Sequence, residues 1–161
     1  MKFILFRHAQ KGATPFEDPE LTLKGFEQSV HILNLIKNNT LPIPTQLLVS
    51  PKRRTSQTLY PVAKEFGLSL TVAEDLDQQT TAEGSPDFRF RVNNFLNSLI
   101  EKSNEEHVIF ACTHYDWIEE AMTLINCDQD LNTFQFSHWA PAQYVAFEVT
   151  ESTWLHIYKN K

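Results

Sequence analysis

Phe3-Ile4-Leu5-Phe6-Arg7-His8 decides how this chain is read: four apolar residues, enough for a buried strand and too few for a helix, run directly into an arginine and a histidine. The pattern recurs. Gln46–Val49 reads as a second buried strand and leads into Ser50-Pro51-Lys52-Arg53-Arg54, and residues 107–112 read as another that leads into Thr113-His114. Helices fill the intervals. Residues 21–38 carry apolar side chains at Leu23, Phe26, Val30, Leu33, Leu35 and Ile36, a helical spacing that Pro42 and Pro44 terminate. Ser50-Pro51 has the form of an N-cap followed by a first-turn proline, which predicts a helix from there to Phe66. A third strand is expected at 69–72 and an irregular surface loop over 74–84. Ser85-Pro86 repeats the N-cap signal, and Phe88, Val92, Phe95, Leu96, Leu99 and Ile100 then mark one helical face. Residues 113–125 read as a further helix, and 143–149 with 153–158 as a terminal hairpin. Strands alternating with helices predict an α/β sandwich around a mainly parallel sheet.

Composition narrows the setting. The 161 residues suit one domain spanning 1–161, with no repeat, low-complexity tract or linker to divide it. Fourteen basic residues against twenty acidic give a net charge of −6, so nothing global draws the chain to nucleic acid or to an anionic membrane. No apolar run approaches the roughly 20 residues that span a bilayer. Lys2 to Phe6 is too short for a signal-peptide core. Cys112 and Cys127 make no disulfide framework and read as reduced, buried thiols, so a cytoplasmic protein is expected.

Within this acidic chain, three strand-to-helix junctions carry Arg or His, and parallel strands bring such junctions to one edge of the sheet. Two arginines, two histidines and several helix N-termini in one crevice suit a dianion, most simply a phosphate. Arginine offers a fixed fork of donors that stays charged. Imidazole is a competent nucleophile toward phosphorus when its other nitrogen gives its proton to an acceptor, usually a backbone carbonyl. A second, protonated histidine would stabilise charge on the transferring group. No metal or other cofactor is needed, and no acidic cluster suited to magnesium is evident.

Four segments carry a resemblance. Phe6-Arg7-His8-Ala9-Gln10 resembles the Arg-His-Gly signature of the histidine phosphatase superfamily, which includes the phosphoglycerate mutases. Leu21-Thr22-Leu23-Lys24-Gly25-Phe26-Glu27-Gln28 is similar to its Leu-Thr-x-x-Gly-x-x-Gln segment. Ser50 to Thr58 resembles its Ser-Pro-x-x-Arg-x-x-x-Thr helix start, and Thr113-His114 falls where its second histidine sits. The resemblance implies a three-layer sandwich with helices on both faces. It also implies His8 as the nucleophile, Arg7 and Arg54 as phosphate clamps and His114 as a second phosphate contact. The length looks most like the compact bacterial phosphohistidine phosphatases, with a phosphorylated small molecule or a phosphohistidine protein as partner.

The departures are specific. Ala9 replaces the signature glycine, and Tyr115 replaces the glycine after the second histidine, placing an aromatic ring beside the phosphate. Thr14 stands where many members have a phosphate-binding asparagine. Gln78 occupies the position of the glutamate many members use as general acid, leaving Asp77 and Glu83 as candidate proton donors. His138-Trp139 is a candidate lining of the crevice, while Arg53, Lys52, Arg89 and Arg91 read as solvated charge. A mutase and a non-catalytic phosphate-binding module are the rival readings.

Overall fold

The computed structural model describes residues 1–101, 106–150 and 153–160. Within these residues six strands form one sheet: β1 (Lys2–Arg7), β2 (Gln46–Val49), β3 (Leu70–Val72), β4 (Val108–Thr113), β5 (Tyr144–Val149) and β6 (Trp154–Lys159), in the order β3-β2-β4-β1-β5-β6. β3, β2, β4 and β1 run parallel; β5 joins β1 antiparallel, and β6 pairs with β5 as the terminal hairpin. Among the described residues four α-helices cover the sheet: α1 (Leu23–Lys37), α2 (Arg53–Phe66), α3 (Ser85–Glu101) and α4 (Tyr115–Leu124).

Alternation along each strand divides the core in two. Phe3, Leu5, Ile109, Ala111, Val145 and Phe147 pack with Phe88, Val92, Phe95, Trp117 and Ile118 of α3 and α4. Ile4, Phe6, Phe110, Cys112, Tyr144 and Ala146 pack with Ile32, Ile36, Leu59 and Val62 of α1 and α2. The expected three-layer arrangement is therefore what forms. No helix among the described residues is long and apolar enough to cross a membrane.

Three local expectations need correction. On α1 the inward face is Gly25, Ser29, Ile32 and Ile36, whereas Leu23, Phe26 and Val30 are exposed. The reason is close approach: a Cβ on Gly25 would stand 2.2 Å from the Gln10 carbonyl oxygen, so only glycine lets the helix meet the loop after β1. Ser29 serves α2. Pro61 lacks the N–H that would satisfy the Gln57 carbonyl one turn earlier, and Ser29 Oγ lies 2.9 Å from that oxygen and 2.7 Å from Thr58 O. Second, α2 begins at Arg53, with Lys52 in the N-cap position. The Ser50 hydroxyl instead accepts from Lys52 N–H at 3.2 Å and faces His114. Third, Thr113 closes β4 and α4 starts at Tyr115, with His114 as its N-cap residue. Cys112 is buried but Cys127 only half-buried, and both are free thiols.

Gly25→Ala is expected to lower stability by roughly 1–3 kcal/mol, the ordinary range for overpacking a close contact. Urea unfolding checks it; an unchanged midpoint would mean that the helix and the Gln10 loop separate without cost.

Candidate active site

Hydrogen bonds that run on past the strand ends assemble the site. Arg7 faces Thr113 at the last paired position of β1 and β4, and His8 N–H continues the ladder to Thr113 O at 3.0 Å. One strand over, Ser50 N–H donates to Cys112 O at 3.3 Å. His8, Ser50 and His114 are thereby pinned along one edge, with the two imidazole centroids 5.4 Å apart. A splint of residues 139–143 braces the other side: Arg7 N–H donates to Gln143 O at 2.9 Å, and Ala142 N–H to His8 O at 3.2 Å. Ala142 reaches this position with φ 64°, a left-handed conformation unusual for alanine.

His8 is buried, and its Nδ1 lies 2.8 Å from Ala9 O. A carbonyl only accepts, so Nδ1 carries the proton and Nε2 keeps its lone pair. Burial, joined by the positive groups of His114, Arg54 and Arg7 and opposed by the Ala9 hydrogen bond, lowers the pKa to about 3. The ring is neutral at any ordinary pH. Among described non-glycine residues only Asn39 and Ala142 have positive φ, so Ala9 replaces a glycine without strain. Ala9 N–H is tied to Thr58 Oγ1 at 2.9 Å.

Arg54 is 2% exposed. Its Nη2 donates to Gln78 Oε1 at 2.6 Å and to His114 Nδ1 at 3.1 Å, and Nη1 stands 3.7 Å from Asp18 Oδ1. Because a guanidinium has no acceptor, His114 Nδ1 must accept, which leaves this ring's proton on Nε2. That nitrogen lies 2.8 Å from Ser50 Oγ and 3.5 Å from Asp77 Oδ1. Arg7 is half-buried; its Nη1 donates to Trp139 O and its guanidinium carbon sits 5.1 Å from the Tyr115 ring centroid. The Nε atoms of Arg7 and Arg54 are buried with no hydrogen-bond partner. These guanidinium groups and the free Nε2 of His8 suit an oxyanion with its central atom beside that nitrogen.

Other candidates stand outside this cluster. Glu83 is clasped by Arg91, from Nε at 2.8 Å and from Nη2 at 2.7 Å, an ion pair that commits its carboxylate. Thr14 is exposed in the loop before α1 and makes no hydrogen bond with the described residues. Tyr115 turns its hydroxyl to Ser137 O at 3.1 Å, so only its ring flanks Arg7. Arg53 pairs with Glu20 at 2.7 Å, and Arg89 is held by Glu120 and Thr123. His138 packs against Phe134 with ring centroids 4.9 Å apart and planes tilted by 50°; its neighbour Trp139 reaches the cluster through the carbonyl, which leaves no mark in a sequence. Gln78 and Asp18 on Arg54, and Ser50 on His114, enter as partners that sequence reasoning did not assign. Ser50 did carry a signal, since it follows a buried strand directly. Among the described residues no three His, Cys, Asp or Glu side chains are grouped to hold a metal.

A family model described as the histidine phosphatase superfamily (branch 1) matches residues 3–83. The chain belongs to this superfamily. The matched segment contains His8 and Arg54, and His114 lies beyond it. Comparison with curated protein sequences finds no match. Among solved structures, the protein histidine phosphatase SixA complexed with tungstate is 18% identical, with a TM-score of 0.75 over 99% of this chain and 96% of that one. A phosphoserine phosphatase mutant from Entamoeba histolytica, in complex with phosphoserine, is 16% identical with a TM-score of 0.73 over 99% and 96%. Mycobacterial glucosyl-3-phosphoglycerate phosphatase with VO3 is 15% identical with a TM-score of 0.72 over 99% of each chain. At such identities the likeness is one of superfamily fold.

In phosphate-free protein at pH 5, long-range 1H–15N NMR is expected to show His8 neutral with its proton on Nδ1. A protonated ring at that pH would overturn the burial argument. Vanadate is expected to raise the melting temperature of the wild type and of Arg53→Ala but not of Arg54→Ala; equal responses of the two variants would mean that Arg54 does not face the anion.

Proposed function

We propose that this protein is a phosphatase that hydrolyses a phosphoric monoester or a phosphohistidine through a covalent phosphohistidine on His8. The observation that carries the reading is the hydrogen bond from His8 Nδ1 to Ala9 O, which leaves the Nε2 lone pair available beside His114, Arg7 and Arg54. In the first step Nε2 attacks phosphorus; the N–P bond forms while the bond to the leaving oxygen or nitrogen breaks, and the leaving group departs with that electron pair. In the second, water attacks phosphorus, the N–P bond breaks, its electrons return to Nε2, and the water proton passes to solvent. Arg7, Arg54 and His114 hold the equatorial oxygens throughout and compensate their charge.

Gln78 cannot protonate a leaving group, and its Oε1 is already engaged by Arg54. Leaving groups that need little protonation therefore suit the crevice, a protein phosphohistidine foremost. The guanidinium groups supply charge compensation that metal ions supply in other phosphoryl-transfer enzymes, so we read the reaction as metal-independent. The protein would act as a single cytoplasmic domain. That three structural relatives are named as phosphatases favours hydrolysis over a mutase reaction.

With a chelator present, the wild type is expected to hydrolyse p-nitrophenyl phosphate and a phosphohistidine-bearing protein. His8→Ala should lose roughly a thousandfold or more in kcat. Undiminished turnover by the variant would remove His8 as nucleophile. Wild-type protein that binds phosphate but turns over neither substrate would be a binding module.

A further inference from the structure

Behind His114 lies a set of polar groups that phosphate capture does not use. Thr55 Oγ1 is 2.7 Å from Lys52 O and 3.0 Å from Ser50 O. Both are carbonyls, so the Thr55 hydroxyl donates to them and must accept from Ser50 Oγ, 3.1 Å away. With its proton so committed, Ser50 Oγ accepts, from Lys52 N–H and from His114 Nε2. Nε2 of His114 thus carries a proton in every ionisation state of the ring. Asp77 Oδ1 stands 3.5 Å from that nitrogen, near enough for its charge to act on the ring, and receives Gln78 N–H at 2.9 Å.

The opposite nitrogen, Nδ1, faces Arg54. A phosphate that takes up this Arg54 donor leaves Nδ1 free to gain a proton and donate it to a phosphate oxygen. The ring then carries a full charge, with the anion on one side and the Asp77 carboxylate on the other.

We propose that Asp77 is a positioning residue that holds His114 as an imidazolium against the bound phosphate, and is not a proton donor to the leaving group. This rests on the crevice being a phosphoryl-transfer site. Burial raises the Asp77 pKa, but the His114 hydrogen bond and the charges of Lys52 and His114 outweigh it and hold the carboxyl below the usual carboxylate range. At neutral pH it is ionised, the wrong form for an acid.

The other groups around His114 do not supply this charge balance. Burial first, and then Arg54 from α2, lower the His114 pKa, and neutral His8 faces it from the end of β1. Asp116 on α4 also favours the charged ring, but more weakly than Asp77, and it makes no ion-pair contact within 4 Å of the imidazole. Burial pushes the Cys112 thiol of β4 upward, so it stays uncharged, and Lys52 faces Asp77 at 3.9 Å. Asp77 is the carboxylate that stands against the ring itself, 3.5 Å from Nε2.

Removing that negative charge destabilises the imidazolium, so His114 should release its proton at lower pH. The test follows the His114 ring by NMR across pH in vanadate-saturated wild type, Asp77→Asn and Asp77→Glu. It also follows kcat/KM against pH with p-nitrophenyl phosphate and with phenyl phosphate. Asp77→Asn is expected to move both the His114 midpoint and the basic limb down by about one pH unit, alike for both substrates, with Asp77→Glu restoring most of the shift. An unmoved midpoint, or a loss confined to the poorer leaving group, overturns the proposal. A midpoint that moves in protein lacking all turnover supports the coupling while the phosphatase reading fails. Normal turnover with an unmoved midpoint does the reverse.

Discussion

The parallel pairing of β1 with β4 is the constraint on which the rest depends. Its register, Lys2 with Val108 through Arg7 with Thr113, sets which side chains reach which core layer. A slip of one residue would exchange the two faces, sending Phe3 and Leu5 toward α1 and α2 and carrying His8 out of step with His114. Core and crevice are thus two readings of one ladder. Burying the Phe and Ile side chains on the correct sides is the same event as setting the imidazoles beside each other.

The site places positive charge where burial disfavours it, inside a protein of net charge −6. Arg54 is almost wholly enclosed yet meets its nearest carboxylate, Asp18, only at 3.7 Å. Such an arrangement costs folding free energy, since a buried ion is compensated well only by a close counter-charge. The sandwich tolerates it because the crevice is small against two extensive apolar layers. A neutral His8 adds no further charge, and the carbonyls of Ala9 and Trp139 steer imidazole and guanidinium without introducing a carboxylate to compete with phosphate.

Much of this was legible in the residues. Short apolar runs ending in Arg or His located β1, β2 and β4, because a buried strand with layers on both faces needs an uninterrupted apolar sequence. The same logic put His8 and His114 just past strand ends and Arg54 at the start of the helix that follows β2, and the structure brings the three together. What was not legible has a common cause, in interactions whose partner is distant in sequence or is backbone. Gly25 and Ser29 face inward on α1 because of Gln10 and α2, so the larger apolar residues were a false guide to its buried face. Ser50 resembled a helix cap because the same hydroxyl that can cap a helix can also receive an imidazole N–H. Glu83 and Thr14 lie near the right segments, but the Arg91 ion pair and the exposed course of the loop before α1 keep them outside the cluster.

The splint at 139–143 separates two kinds of sequence freedom. Its hydrogen bonds to Arg7 and His8 fasten the chain again before β5, just as β4 fastens it before α4. Residues 126–138 span the interval between those anchors, include the widely exposed Phe134, and contribute none of the clustered side chains. Leu131 and Phe136 of that interval belong to the core layer under α3 and α4, whereas exposed Phe134 lies three residues before Ser137, whose carbonyl takes the Tyr115 hydroxyl, and is free to vary without touching a group that would hold phosphate. In descent from a common ancestor, such exposed positions can drift while the buried ones beside them, and the chemistry, stay fixed.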